Sequence, residues 1–385
     1  IILKNKINTK MRRIFNLSLL ALVMFIAMPT MAKTKVPYNK LSTKNIMRRV
    51  ADWQITSFTN KQEHHDLDWT NATLYRGMID WAEMSERLDG YDGYYKWLMR
   101  IGARNHYQLA KSMYHADDIA VGQAFLDLYV KYKNERMLWP VQARTNWVVA
   151  HPAKCPMLIN YSNINTLDRW TWCDALFMAP PVYARMYAIT GDKKYLDFMD
   201  SEYRNTYNYL YDKDEHLFFR DGRYFDQREA NGKKVFWGRG NGWVLGGLVD
   251  LLKLIPQKNS IRPFYEKLFK EMCARIIETQ SADGYWHASL LDPASYPSPE
   301  TSSTGFIVYA LAYGINAGYL DRDTYLPAVI KGWDAMLKAV DGQGKLCYVQ
   351  PIGADPKKVT RSMTEVYGVG AFLLAGCQIY ELCEK

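Results

Sequence analysis

The feature that most narrows the fold of this chain is a recurring unit. Apolar residues fall at helical spacing in DALFMAPPVYARMYAIT, YLDFMDSEYRNTYNYLY, GWVLGGLVDLLKLI, PFYEKLFKEMCARIIETQ and STGFIVYALAYGINAG, whereas strand-like alternation is scarce. In LDGYDGYYKWLM, ITGDKKYLDFM, NSIRPFYEKLF and LDRDTYLPAVI a helix ends in a short turn and the next begins with an aromatic residue. Successive copies lie some tens of residues apart, the size of a helical hairpin of about 40 residues or more. Each hairpin shows one apolar face that must be buried against its neighbours. The solutions are an open superhelix or a closed toroid.

The connectors decide between them. HHDLDW, YHADDIA, RWTWCD, FWGRGNGW and GYWHASLLDP recur roughly once per hairpin. That rhythm is expected if each hairpin gives one loop or helix start to the same end of a barrel, so closure around a site is favoured. No linker, low-complexity tract or composition break marks a second domain.

The first 32 residues stand apart. From position 11, MRRIFNLSLLALVMFIAMPTMA sets two arginines before an apolar run that ends in small residues, the pattern of an export signal. Cleavage is expected after Ala32, with residues 1–10 as sequence ahead of a start at Met11. This leaves 33–385 as one domain, periplasmic or secreted. The run at 14–27 is short for a membrane span, and no later stretch reaches the roughly 18 apolar residues that one needs. No membrane partner is therefore expected after cleavage. Residues 1–32 hold five Lys or Arg and no acid, so their removal takes the net charge from +9 to +4. That balance gives no reason to expect nucleic acid as a partner. The cysteines (Cys155, Cys173, Cys273, Cys347, Cys377, Cys383) show no CxxC spacing and no zinc-site histidines. They fix neither a metal nor a disulfide pairing, and the oligomeric state is equally open.

The stretch VFWGRGNGWVLGGLVDLL, at 235–252, places Trp237, Arg239, Asn241 and Trp243 among glycines and runs into an apolar helix. Burying such a guanidinium and amide without partners would cost several kcal/mol, on the order of known desolvation penalties. Either a ligand is recognised here, or the segment is a loosened loop with Arg239 in solvent. Aromatic residues make up 14% of the chain, with 12 Trp and 28 Tyr, which suits a large core or a sugar-stacking groove equally. In RWTWCDALFMAPP, Asp174 stands at the head of a helix two residues after Trp172. It reads as a helix-terminal carboxylate stabilised by backbone N–H groups, or as an acid whose proton is retained because an indole excludes water. YHADDIAVGQAFLDLY sets His115, Asp117 and Asp118 ahead of another apolar helix. Adjacent acids are commonly one cap and one solvated neighbour, yet paired acids from separate helices are also the parts of glycoside hydrolysis. Calcium-loop spacing is missing, and His64 and His65 read as solvated.

Taken in order, HADD at 115–118, WCDALFMAPP at 172–181 and WGRGNGW at 237–243 resemble glycoside hydrolase family 105, the unsaturated rhamnogalacturonyl hydrolases, related to the family 88 unsaturated glucuronyl hydrolases. The resemblance covers nearly all of 33–385. It implies an all-α (α/α)6 barrel that removes a 4,5-unsaturated uronic acid from the non-reducing end of lyase-generated oligosaccharides, with rhamnogalacturonan as the default source. The implied chemistry is hydration of a vinyl ether: an acid protonates C4, water adds at C5, and the hemiketal opens to release the next sugar. Neither metal nor organic cofactor is implied. By resemblance Asp174 is the general acid/base and Asp118 assists it, with His115, Asp117 and Trp172 around them. Trp237, Arg239, Asn241 and Trp243 are then expected to bind the flattened, carboxylated sugar. Trp69 is expected to line the pocket, and Trp286 and His287 to form a further wall. Two family features are absent. LFFRDGRYFDQ at 217–227 has Arg220 and Arg223 but no His, and INYSNINTLDRW at 159–170 has no Lys, which leaves the preferred uronide and its neighbour sugar open.

Other functions fit parts of the pattern. An epimerase or isomerase on this barrel class would lean on several pocket histidines, and those here are few and scattered. A polysaccharide lyase would need a base near the uronide C5 and an open cleft. A non-catalytic glycan-binding protein would keep the Trp and Arg residues without needing Asp174 or Asp118.

Overall fold

Helical hairpins form a ring in the computed structural model, which describes residues 35–383; the expected export signal within 1–32 lies outside the described residues. In chain order the helices are α1 (Lys40–Asn60), α2 (Trp69–Asp89), α3 (Gly93–Arg104), α4 (Ala116–Ile119), α5 (Gly122–Tyr132), α6 (Trp139–Ala150), α7 (Ala175–Met178), α8 (Pro180–Thr190), α9 (Lys194–Leu210), α10 (Gly238–Leu254), α11 (Arg262–Glu278), α12 (Thr301–Asn316), α13 (Arg322–Ala339) and α14 (Val366–Leu382). A two-residue ribbon, β1 (Tyr211–Asp212) against β2 (Leu217–Phe218), follows α9 with Tyr211 opposite Phe218.

The long helices alternate between an outer and an inner layer. The inner set packs in the order α2, α5, α8, α10, α12, α14, and α14 returns to pack on α2. The ring is therefore closed, and the expected (α/α)6 toroid is the fold. Inner and outer helices differ as their sequences demand. On α3, Tyr94, Tyr95, Trp97, Leu98 and Ile101 are buried while Lys96 and Arg100 stay in solvent, a single apolar stripe. On α12 every residue from Thr301 to Ala312 is buried, as an apolar helix inside a ring must be.

The closing seam depends on glycine. A Cβ on Gly77 of α2 would lie 2.4 Å from the Gly370 carbonyl oxygen, and one on Gly370 of α14 would lie 2.3 Å from that of Thr73. Only bare backbone allows these helices to meet so closely. Helix starts are capped by side chains, as where Asp68 accepts from the Thr70 amide at 2.9 Å and Asn39 from that of Ser42 at 2.8 Å. All six cysteines are free. Among the described residues, no helix is long and apolar enough to cross a membrane.

Inside the ring sits a buried charge network that the sequence did not advertise. Asp250 on α10 accepts from Arg76 Nε of α2 at 2.9 Å and from Arg185 Nη2 of α8 at 2.9 Å. Arg185 also grips Asp127 of α5 through Nε at 2.8 Å, and Tyr309 of α12 donates to Asp250 at 3.3 Å. Burial pushes the Asp250 carboxyl up, but Arg76 and Arg185 outweigh it and hold the group well below the ordinary carboxylate range. Removing the charge would leave two buried guanidinium groups without their shared partner. Asp250→Asn is expected to lower unfolding free energy by about 3–5 kcal/mol, read as a fall in the urea midpoint at unchanged slope.

Candidate active site

The inner helices all start at the same end of the ring, and the segments leading into them carry the distinctive connectors. Two of these helices are preceded by a one-turn helix bearing acids. Before α8, the turn α7 ends at Met178 because Pro180 and Pro181 have no N–H to continue it and suit a new first turn instead. Asp174 stands at the head of α7, with no helix amide bonded to its side chain. Before α5, His115 caps the turn α4 by accepting the Asp117 amide on Nδ1 at 3.2 Å. The sequence reading of Asp174 as a helix cap is thus not what its side chain does.

Asp117 and Asp174 lie near enough at this end of the ring for the charge of one carboxyl to act on the other. Burial, and next the charge of Asp174, push the Asp117 carboxyl up to about 8, with Arg220 opposing them. One oxygen of Asp117, Oδ1, is buried without a protein partner. Asp174 has Arg220 Nε at 3.3 Å from Oδ2, and the Cys173 thiol as a long donor at 3.6 Å to the same oxygen. Burial works against the Arg220 charge, but Asp174 and then Tyr161 and Asp221 keep it firmly protonated. Arg220 Nη1 also donates to Tyr161 at 3.1 Å and to the fully buried Asp221 at 2.8 Å. Asp221 holds Arg223 as well, whose guanidinium lies 4.7 Å from the Tyr161 ring centre. His115 leans on Trp172 with ring centres 4.9 Å apart, and burial lowers its proton affinity.

The structure places Asp117, and not Asp118, beside Asp174. Asp118 turns away because its carboxylate accepts the Ser112 amide at 2.6 Å, closing the loop 112–118. With adjacent residues on one helical turn, only one can face the ring axis.

The glycine-rich stretch also departs from expectation. Arg239 is 0% exposed and donates to the Gln350 and Pro351 carbonyls at 2.5 and 3.0 Å. Its guanidinium is stacked between Trp237 and Tyr367, 4.4 and 4.8 Å from their ring centres. Trp237 donates to the Gln350 side chain at 3.1 Å. Asn241 is fully engaged by backbone, accepting the Phe218 amide at 2.8 Å and donating to the Phe218 and Trp237 carbonyls. Trp243 packs on Phe177 and Phe306, and Trp286 donates to the Ile276 carbonyl at 2.8 Å. His287 has both ring nitrogens against protein, Nδ1 at the Ser298 carbonyl and Nε2 at Asp283. The expected sugar contacts from Trp237, Arg239, Asn241, Trp243, Trp286 and His287 are therefore corrected. All six are buried and their rings are covered, with Asn241, Trp286 and His287 fully engaged by protein, whereas Arg239 Nε and Trp243 Nε1 have no hydrogen-bond partner. Trp69 differs: it is only half-buried, stacked on Tyr367 at 5.4 Å, and keeps surface for a ligand.

Sequence reasoning singled out Arg220 only as the residue standing where a His was expected. In the structure it supplies the cation beside Asp174. Tyr161 and Asp221 carried no signal of their own, since neither lies in a motif. Among the described residues, Glu63, His64 and Glu365 bring one ligand atom each within 4.8 Å of one another. His64 is partly buried, with its Nε2 2.9 Å from Glu365, whereas His65 is exposed as expected, its Nδ1 accepting the Leu67 amide. Lys61 pairs with Glu63 at 3.3 Å, so ordinary ion pairing accounts for this trio.

The profile of glycosyl hydrolase family 88 matches residues 40–383. An unsaturated 3S-rhamnoglycuronyl hydrolase of Formosa agariphila is 38% identical over 327 residues, covering 82% of this chain and 85% of that one. A solved structure described as a polysaccharide lyase superposes with a TM-score of 0.79 at 30% identity, covering 90% of this chain and 98% of the other. A family 88 glycosyl hydrolase from Bacteroides vulgatus superposes at 0.78 with 28% identity, covering 90% and 100%.

Two outcomes test the geometry. Arg239→Lys keeps the charge but loses the fork and the stacking, so stability should fall by about 1–3 kcal/mol while kcat/KM of the folded protein stays near that of the parent. An increase in KM without loss of stability would return Arg239 to the ligand. The raised Asp117 means that the folded state binds this proton more tightly than the unfolded chain. Its contribution is present at low pH and is lost as pH rises from the ordinary carboxylate range towards about 8. Asp117→Asn should accordingly raise the melting temperature at pH 8 to 9, with the gain vanishing near pH 4.

Proposed function

Because this chain belongs to glycosyl hydrolase family 88, we propose that its Asp117–Asp174 pair catalyses hydration of the C4=C5 bond of a terminal unsaturated uronide. The chain is a glycoside hydrolase acting on unsaturated uronic acid. The observation that supports the catalytic assignment is the proximity of the two carboxyls, with burial and the charge of Asp174 pushing Asp117 up to about 8. Burial and the neighbouring Asp174 charge thus hold a proton on Asp117. The pair delivers a proton to C4, positive charge develops at C5 and the ring oxygen, and water adds at C5. The pair recovers a proton from that water, and the hemiketal opens to release the next sugar. One water is consumed and the conjugated double bond disappears.

In this reading Asp117 takes the assisting role that resemblance gave to Asp118, supported by the action of the Asp174 charge on its carboxyl and by its unpartnered Oδ1. Arg220 holds Asp174 in place and lies where the uronate carboxylate would need a cation. Half-buried Trp69 and His115 offer ring faces to the sugar. The name of the Formosa agariphila relative points to rhamnose, with a 3S designation, beside the uronide. A 3-sulfated rhamnose is therefore favoured here over rhamnogalacturonan, and Arg223, 40% exposed and stacked on Tyr161, is the cation available for the sulfate. The polar and apolar pattern at 11–32 supports export as the setting for such a substrate.

The solved relative described as a polysaccharide lyase favours a second reading, lyase activity in this chain as well. A lyase creates the conjugated double bond, whereas this hydrolase removes it, so the direction of the ultraviolet change separates them. Incubation with an unsaturated uronyl–rhamnose 3-sulfate disaccharide should cause the absorbance to fall, and faster than with the rhamnogalacturonan counterpart. Asp174→Asn and Asp117→Asn should each lower kcat by at least about 10²-fold, while Asp118→Asn should change it by less than about tenfold. A larger loss with Asp118→Asn than with Asp117→Asn would reverse the assignment within the pair.

A further inference from the structure

On the outer wall of the ring, between the turn after α3 and the helix α6, lies an open hollow of about 950 Å³. Two indoles on α6 border it, Trp139 and Trp147, 59% and 49% exposed, and Met113 beside them is 42% exposed. Large apolar rings left together in water mark interaction surfaces. Eight residues separate the indoles, about 12 Å along the helix axis, which spans more than one pyranose ring. The polar lining comes from His106, Gln108, Asn134, Arg136 and Arg144, with no carboxylate among the lining residues. His106 and Tyr107 both hold left-handed backbone, φ 52° and 53°, a strained choice for side-chain-bearing residues that clusters at ligand sites.

The hollow is connected to the site already described. Arg144 donates to the carbonyls of Ala110, Ser112 and Asp118 at 2.6, 3.0 and 3.0 Å, so its floor is the back of the loop that presents His115 and Asp117.

We propose that this hollow is a second carbohydrate site, a platform for the anionic polysaccharide from which the substrate is cut. Trp139 and Trp147 stack on sugar rings, and Arg136 meets carboxylate or sulfate groups. An acidic glycan complements this face, because Arg136 is exposed there and no carboxylate lines the hollow. The inference rests on the reading of the substrate as a fragment of an anionic polymer.

Its test is electrophoresis of the full chain through gels containing either an intact sulfated rhamnose–glucuronate polysaccharide or neutral dextran. The anionic polymer should retard the protein and dextran should not. The double variant Trp139→Ala/Trp147→Ala should bind the polymer at least about fivefold more weakly while keeping parental kcat/KM on the unsaturated disaccharide, which also certifies its fold. Equal retardation of parent and variant overturns the platform, as does no retardation of the parent. A parental dimer in light scattering that the double variant abolishes would also overturn it, by making this face a contact between copies. If the polymer is bound but the disaccharide is not hydrolysed, the proposed catalytic reading fails and the platform stands.

Discussion

The structure depends on the Asp250 node. A ring of inner helices encloses an axis that apolar side chains from six directions must fill or leave void, and here part of it is filled with charge. Through Arg76, Arg185, Asp127 and Tyr309, Asp250 ties together α2, α5, α8, α10 and α12, five of the six inner helices, in one hydrogen-bonded network. Buried ion pairs are poor sources of net stability but strict about geometry. Bidentate guanidinium contacts fix the rotation and height of each helix relative to the next. The sixth helix, α14, is set by a different constraint, the glycine seam against α2.

That rigidity is what lets the other end of the ring hold an unfavourable arrangement. Asp117 and Asp174 arrive on separate one-turn helices, each interrupted before its long inner helix begins. The interruptions aim the acids inward without requiring the inner helices to bend. Beneath them, Gln350 is gripped by Arg239 and Tyr367 on its carbonyl and by Trp237 on its side chain, while its amide donates to Glu300. Glu300 in turn caps α12 by accepting the Ser302 and Ser303 amides. The floor of the site is thus a buried polar layer bonded mostly within the protein, with Arg239 Nε left without a partner.

Much of this was legible in sequence, for reasons that can be named. Helical periodicity and connector rhythm follow from local rules, so the hairpins and the shared end of the ring could be read directly. Asp174 was visible because its motif is contiguous. The choice between Asp117 and Asp118 was not, since it turns on which neighbour the loop amide of Ser112 captures, a contact six residues away in sequence and set by tertiary folding. FWGRGNGW misled for a related reason. Burying its guanidinium does demand partners, but those that satisfy Arg239 are carbonyls more than a hundred residues later, in an ordinary QP dipeptide. Arg220 was seen as a missing histidine because motif comparison registers identity, not position in space.

The same distinction separates function from scaffold in this protein. A buried group whose hydrogen bonds are all met by protein has nothing left to offer a ligand, and that description fits Asn241, Trp286 and His287. At the site, Asp117 holds an unpartnered buried oxygen and a proton retained by burial and by the charge of Asp174, and Trp69 leaves part of its ring uncovered. Such groups are destabilising in the empty fold. They persist because the charge network and the glycine seam over-determine the positions of the helices that carry them, so that the local penalty cannot be relieved by movement and remains available to the substrate.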